Sequence, residues 1–250
     1  MSLFRLLLSR LVGRDTVVRL EAPGRTLMVS ISTRRELRRV REVALEARLL
    51  ERVSGVLRSG DVVYDVGANV GVLTLLLATE PGGQEVHIVA AEPEPGNFRQ
   101  LERNVALNGL EDRVFPHRVA FGSSDGTTPL FVRGGPGEGR HSIVEERGST
   151  RTLQVPLSTL AGFAERIGSP PDVVKIDVEG AEGRVLAGME PLLNVGAVRD
   201  LFLELHPKGE RDRMPEGEVI GEWMRARGYE EVWAEPRRSG RHCHFHRADG

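Results

Sequence analysis

Asp65 stands two residues before a glycine turn, in the stretch Asp65-Val66-Gly67-Ala68-Asn69-Val70-Gly71. A carboxylate there attracts a cation such as the ammonium of an amino acid, and it repels a pyrophosphate. Glycine at 67 and 71 lets the backbone approach a ligand where a Cβ would collide with it, and the helix that follows begins with free N–H groups. A second carboxylate, Glu92, comes at roughly the 20-residue spacing at which an acidic side chain meets ribose hydroxyls. The dinucleotide pattern G-x-G-x-x-G is broken at Asn69, and no Gly-Lys-Ser/Thr follows to build a phosphate loop. These residue types describe a site for a nucleoside with a zwitterionic tail, and S-adenosyl-L-methionine fits that description.

A second group of reactive side chains lies in Lys175-Ile176-Asp177-Val178-Glu179-Gly180-Ala181-Glu182, where a hydrophobic run meets a helix start. Like charges as close as Asp177 and Glu179 can raise one carboxyl pKa, which suits a base. Glu204-Leu205-His206 brings another carboxylate and an imidazole to the end of the next run. Asp177, Glu179 and His206 are therefore the candidate catalytic residues. Lys175 is expected to pair with a carboxylate, and Glu182 to cap its helix. Asp177, Glu204 and His206 are able to hold a hard cation, but no spacing demands one and no metal is expected. His242, His244 and His246 alternate with Cys243, so the imidazoles share one face without the thiol, as in a half-exposed terminal strand.

The elements that must carry these residues alternate. Val62 to Val66 reads as a strand buried on both faces, and Val72 opens a helix that stops at Pro81-Gly82-Gly83. Strands over 85–91, 114–120, 173–177 and 201–205 interleave with helices over 95–108, 181–189 and 216–227. That order predicts an α/β, Rossmann-like, doubly wound and mostly parallel sheet. Strands at 230–234 and 242–246, with no helix between them, predict an antiparallel edge. Between Phe121 and Leu157 the alternation breaks: 127–132 and 151–155 read as strands around the loop Arg133 to Gly139. Pro156 is expected to end the second, having no N–H for a ladder. This insertion is the candidate for substrate contact.

Before the sheet, residues 1–14 place Leu and Phe against Arg as an amphipathic helix. Residues 16–21 and 26–31 alternate around Ala22-Pro23-Gly24 as a hairpin. Residues 34–57 have helical spacing up to Ser59-Gly60. A small helix/hairpin cap over 1–44 and a cofactor-binding domain over 45–250 follow. The 250 residues carry a formal net charge of -2, which gives no electrostatic reason to expect nucleic acid or an anionic membrane. The single Cys243 is compatible with a reducing cytoplasmic setting. No run reaches the ~18–20 apolar residues of a membrane span.

The stretches Asp65 to Gly71, Glu92-Pro93, Asn104 with Asn108, and above all Lys175 to Glu182 resemble the FkbM-type S-adenosylmethionine-dependent methyltransferases over roughly residues 45–207. The resemblance implies a seven-stranded methyltransferase sheet and methyl transfer to a hydroxyl of a sugar or polyketide-like small molecule. It implies that Asp65, Gly67, Asn69 and Gly71 line the methionine moiety, that Glu92 holds the ribose, and that residues near Ala120 flank the adenine. From the residues themselves, apart from the resemblance, Asp177 or His206 is the expected base, with Glu179 orienting the acceptor. Leu160-Ala161 departs from the Leu-Asp that such sequences often carry. Of the rivals, a nicotinamide-dependent oxidoreductase is disfavoured by Asn69 and Asp65. A non-catalytic cofactor-binding protein is disfavoured by the crowded carboxylates. A nitrogen acceptor is disfavoured by the absence of an Asn/Asp-Pro-Pro-Tyr string.

Overall fold

The computed structural model describes residues 5–12, 15–31, 36–37, 40, 47–80, 85–132, 141–144, 151–206, 220–237 and 240–248. The chain opens with β1 (Arg5–Val12), β2 (Asp15–Ala22), β3 (Arg25–Ile31) and α1 (Ala47–Ser54). Next come β4 (Val62–Val66), α2 (Val72–Ala78), β5 (His87–Ala91), α3 (Pro95–Leu107) and β6 (Val114–His117). The insertion holds β7 (Ala120–Phe121), β8 (Gly126–Val132), β9 (His141–Ser142) and β10 (Arg151–Ser158). After it follow α4 (Leu160–Ile167), β11 (Val173–Ile176), α5 (Glu182–Val195) and β12 (Asp200–Leu205). The last elements are α6 (Ile220–Arg225), β13 (Tyr229–Arg237) and β14 (Gly240–Arg247).

Seven strands form one sheet in the order β13-β14-β12-β11-β4-β5-β6. The five strands from β12 to β6 run parallel, and β14 and β13 pair antiparallel at one end. The sheet is mixed, parallel through its centre, with the antiparallel edge that a helix-free final pair predicts. Strand alternation sends Val63, Ile88, Ala90, Val173 and Phe202 into a core shared with α1, α2 and α3. Tyr64, Val66, Val89, Val174, Ile176 and Leu203 face the other way, into a core shared with α4, α5 and α6. Both faces are covered, so these strands are mostly apolar, and the charged residues within them, such as Asp65 and Lys175, are buried. At the start of α3, Glu94 accepts the Asn97 N–H at 2.7 Å and Pro95 sits where its missing N–H costs nothing. Among the described residues no helix is long and apolar enough to cross a membrane.

Several elements differ from expectation. Arg5–Val12 is a strand of a three-stranded antiparallel sheet, not an amphipathic helix. Eight residues of mostly Leu and Val fit either period, and the edge of the β2–β3 hairpin decides for pairing. The helix expected over 34–57 is described over Ala47–Ser54, and it ends before Ser59-Gly60. Most of its first part lies outside the described residues, as do Pro81-Gly82-Gly83, the loop Arg133 to Gly139 and the start of the helix expected from 216. The single strand expected over 114–120 is divided, because β6 stops at His117 and Ala120–Phe121 joins a separate sheet of order β7-β10-β8-β9. Pro156 does not end β10, which continues to Ser158. Pairing with β7 begins only at Leu157, so no ladder bond is lost on that side. β14 is an interior strand between β12 and β13, and His242 and His244 are buried in it, not half-exposed.

Candidate active site

The carboxyl ends of β5, β4, β11 and β12 lie side by side, and β4 is the point at which the chain order reverses from one half of the sheet to the other. In open α/β sheets ligands bind at that rim. Asp65, Glu92, Asp177 and Glu179 sit there or one residue inside it, and His206 directly follows β12.

The turn after β4 is closed on itself. The Gly67 and Ala68 N–H groups donate to the Ala91 carbonyl, and Asn69 N–H donates to Glu92 Oε2 at 2.9 Å. Val70 N–H donates to the Asn69 side chain and Gly71 N–H to the Ala68 carbonyl. None of these five donors is left for a pyrophosphate. Gly67, Asn69 and Gly71 all have positive φ, at 81°, 55° and 84°. Asn69 tolerates this because its short side chain bonds locally. The reason for the glycines is also internal. A Cβ on Gly67 would lie 1.9 Å from the Asp177 carbonyl oxygen, and one on Gly71 would lie 2.4 Å from Leu101 Cδ1. In both cases the collision is with the protein itself.

Asp65 is fully buried, and its carboxylate is engaged. Lys175 Nζ lies 3.0 Å from its Oδ1, and Thr74 Oγ1 donates to its Oδ2 at 2.6 Å. The register explains the pair, since β4 and β11 place Asp65 and Lys175 directly opposite on one face. A direct contact between Asp65 and a ligand ammonium, expected from the sequence, does not fit this geometry, because the lysine already occupies that place. Burial works against the Lys175 charge, but Asp65, Asp177 and Glu204 outweigh it and raise its pKa. Lys175 Nζ also approaches the Gly67 carbonyl at 3.5 Å.

Glu92 sits at the end of β5 with Oε1 on the Glu94 N–H and Oε2 on the Asn69 N–H, both at 2.9 Å. Burial pushes its pKa up to about 7 against the lowering effect of those two bonds. Ala120 follows the end of β6 at His117 and is buried in the core of the insertion, in one cluster with Leu130, Val132, Ile143, Val155 and Ala181.

The second group converges. Asp177, Glu179 and His206 each present one atom within 4.8 Å of the others. His206 Nδ1 lies 2.9 Å from Glu182 Oε1, and its Nε2 lies 3.5 Å from Glu179 and 3.8 Å from Glu204. Burial disfavours the imidazolium, yet the bond to Glu182 and the charges of Asp177, Glu182 and Glu179 prevail and raise its pKa to about 9. Between Glu182 and Glu179 the ring is placed to donate from both nitrogens, an arrangement that suits a positioning role better than that of a general base. Glu179 has φ of 53° and Gly180 of 101°. A non-glycine residue in that region costs about 1–3 kcal/mol and persists only where its surroundings over-determine it.

Two residues matter more than their sequence context suggests. Glu182 accepts from the Gly180 N–H as a helix-start carboxylate does, but it is fully buried and also fixes His206. His242 Nε2 lies 3.1 Å from Glu204 Oε2, and with it burial is overcome and the Glu204 pKa falls to about 2. The only sequence signal for His242 was its alternation, which gives a face and not a partner. The insertion packs against this rim, with Val178 and Ala181 joining its core.

The family model described as the methyltransferase FkbM domain matches residues 65–231. Hexuronic acid methyltransferase AglP of Haloferax volcanii is 28% identical over 189 residues, covering 74% of this chain and 73% of that protein. The 31-O-demethyl-FK506 methyltransferase FkbM of Streptomyces tacrolimicus is 31% identical over 179 residues, covering 60% of this chain and 67% of its own. The crystal structure of methyltransferase FkbM from Methylobacillus flagellatus shares the fold, with a TM-score of 0.53 at 17% identity. That likeness covers 77% of this chain and 46% of the other, so the chain spans about half of that protein.

Proposed function

The chain belongs to the FkbM methyltransferase family, and we propose that it moves a methyl group from S-adenosylmethionine to a hydroxyl of a sugar or polyketide-like small molecule. One contact carries this reading: the Asp177 carbonyl oxygen occupies the space beside Gly67 that a Cβ would need. The carboxylate rim and the glycine turn are therefore a single site, with a proton acceptor next to the bend that would hold the donor. A turn without free N–H groups, bordered by Glu92, Asp177 and Glu179, suits a cationic adenosyl ligand better than a pyrophosphate.

S-adenosylmethionine, when bound, supplies an electrophilic methyl group. The chain's own residues supply alignment, charge and a base. Glu92 offers its carboxylate to the ribose. Asp177 takes the hydroxyl proton of the acceptor as its oxygen attacks, a contribution of about 10²–10⁴-fold. Glu179 orients the acceptor, and the His206 imidazolium holds Glu179 in place from Nε2 while Glu182 anchors the ring from Nδ1. The acceptor class draws support from the two relatives whose names give hexuronic acid and 31-O-demethyl-FK506 as what they methylate. The insertion β7–β10, packed on Val178 and Ala181, is the segment for acceptor contact.

The test is incubation of the protein with deuteriomethyl-labelled S-adenosylmethionine and an extract of small metabolites, read by untargeted mass spectrometry. A product heavier by the labelled methyl on an oxygen is expected. Label appearing only on nitrogen or carbon would overturn the acceptor class, and failure to bind S-adenosylmethionine in calorimetry would overturn the cofactor.

A further inference from the structure

Three amide side chains, two on α3 and one on its C-cap residue Asn108, form a ladder along the free edge of β3. Gln100, Asn104 and Asn108 are spaced by four residues and so lie on one stripe of the helix. Gln100 Nε2 donates to the Ser30 carbonyl at 2.6 Å, and Asn104 Oδ1 accepts the Ser30 N–H at 2.7 Å. Asn108 accepts the Met28 N–H at 2.9 Å and donates to the Met28 carbonyl at 2.8 Å. The two repeats match, because four helical residues advance about 6 Å and two strand residues about 6.7 Å. The edge of a three-stranded sheet is thereby closed by a helix.

Asn104 differs from its neighbours in one respect. Gln100 bonds to β3, and Asn108 to β3 and to the Asn104 carbonyl, but Asn104 turns its Nδ2 away from the sheet and donates to the Val70 carbonyl at 2.8 Å. It is fully buried. Val70 lies between Asn69 and Gly71, both in the left-handed region. A bend with three positive φ values in five residues holds its shape only if its surroundings impose it. We propose that Asn104 is a positioning residue that fastens the glycine turn to β3, so that the N-terminal sheet helps to hold the cofactor end of the site in its binding geometry. This rests on the reading of the turn as the S-adenosylmethionine site.

The test uses the full-length protein and two variants. Asn104→Asp keeps the acceptor for Ser30 but faces the Val70 carbonyl with an oxygen, whereas Asn108→Ala weakens β3 docking without touching the turn. S-adenosylmethionine affinity by calorimetry should fall at least tenfold in Asn104→Asp and less than twofold in Asn108→Ala, even where the melting temperatures of the two drop equally. A merely structural role predicts that affinity follows melting temperature in both, and that result overturns the proposal. Should Asn104→Asp fail to fold, the wild-type protein decides. Coupling is reciprocal, so saturating S-adenosylmethionine should slow amide exchange at Ser30 at least fivefold, and unchanged exchange there overturns the inference. Wild-type protein that binds no S-adenosylmethionine would refute the cofactor reading instead, a distinct outcome.

Discussion

Lys175 Nζ lies 3.0 Å from Asp65 Oδ1 within the sheet, with the lysine side chain 9% exposed and the aspartate not at all. Breaking one side of such a pair leaves the other charge buried without compensation, which costs about 3–5 kcal/mol. Asp65→Asn keeps an acceptor for Thr74 but abandons the ammonium, and should lose stability of that order in urea unfolding. Removing the ammonium as well, in Asp65→Asn with Lys175→Met, should recover more than half of the loss. A double variant no more stable than the single one would mean that Asp65 contributes something other than this pairing.

The same pair marks how far the sequence could be read. The central strands are legible because a strand covered on both faces leaves a mostly apolar run, interrupted only by Asp65 in Val62–Val66 and by Glu204 in Leu201–Leu205. The carboxylates at their ends were legible as a rim. Their partners were not, because the register that sets Lys175 opposite Asp65 is a property of two strands 110 residues apart, and neither strand specifies it alone. Asp65 therefore read as a free ligand group. The same gap hid His242 behind Glu204. Arg5–Val12 was misread for a related reason: a short leucine-rich run takes its conformation from the neighbour it finds.

His206 makes folding sensitive to alkali. Its pKa is raised from 6.5 to about 9 in the folded protein, so the folded state holds the proton more tightly than the unfolded one. The resulting stabilisation is complete below pH 6.5 and is lost as pH rises through 9, with a ceiling on the order of 3 kcal/mol. Unfolding free energy should fall between pH 7 and 9.5 in the wild type. His206→Gln should be less stable at pH 7, since Glu182 loses its cation, and its stability should change much less over that interval. Parallel slopes for the two proteins would contradict the assignment.

Glu92 titrates near neutrality because its burial raises its pKa to about 7. If ribose hydroxyls donate to the ionised carboxylate, binding draws that pKa down and expels a proton. Calorimetry at pH 7 in buffers of different ionisation heat should then report release of up to about half a proton per site. Glu92→Gln should bind with no such release. Equal proton release by both would place the titrating group elsewhere.

Gly67 and Gly60 have similar φ, at 81° and 90°, but different surroundings. A Cβ at Gly60 meets nothing within 4 Å, whereas one at Gly67 meets the Asp177 carbonyl at 1.9 Å. Gly60→Ala should therefore cost only the left-handed penalty of about 1–2 kcal/mol. Gly67→Ala should cost several times as much, or require the two loops to separate. In the second case cofactor affinity falls along with stability, which calorimetry on the folded fraction would detect.

Asp177 and Glu179 stand at the same rim but should fail differently. With His206 engaged by Glu182 and Glu179, the proposed destination of the acceptor's proton is a carboxylate, and Asp177 directly follows β11, the strand that sets its position. Glu179 lies two residues further along, at positive φ and against His206 Nε2, where it is held as a support. Asp177→Asn removes the base without changing shape, so turnover should fall about 10²–10⁴-fold while S-adenosylmethionine affinity stays within a fewfold. Glu179→Gln keeps a hydrogen-bonding group in the same place and should act mainly on acceptor KM, with a smaller loss in kcat. Inverting the two phenotypes would make Glu179 the base and Asp177 the orienting group. If neither variant loses turnover, the proton leaves by a route that does not involve this rim.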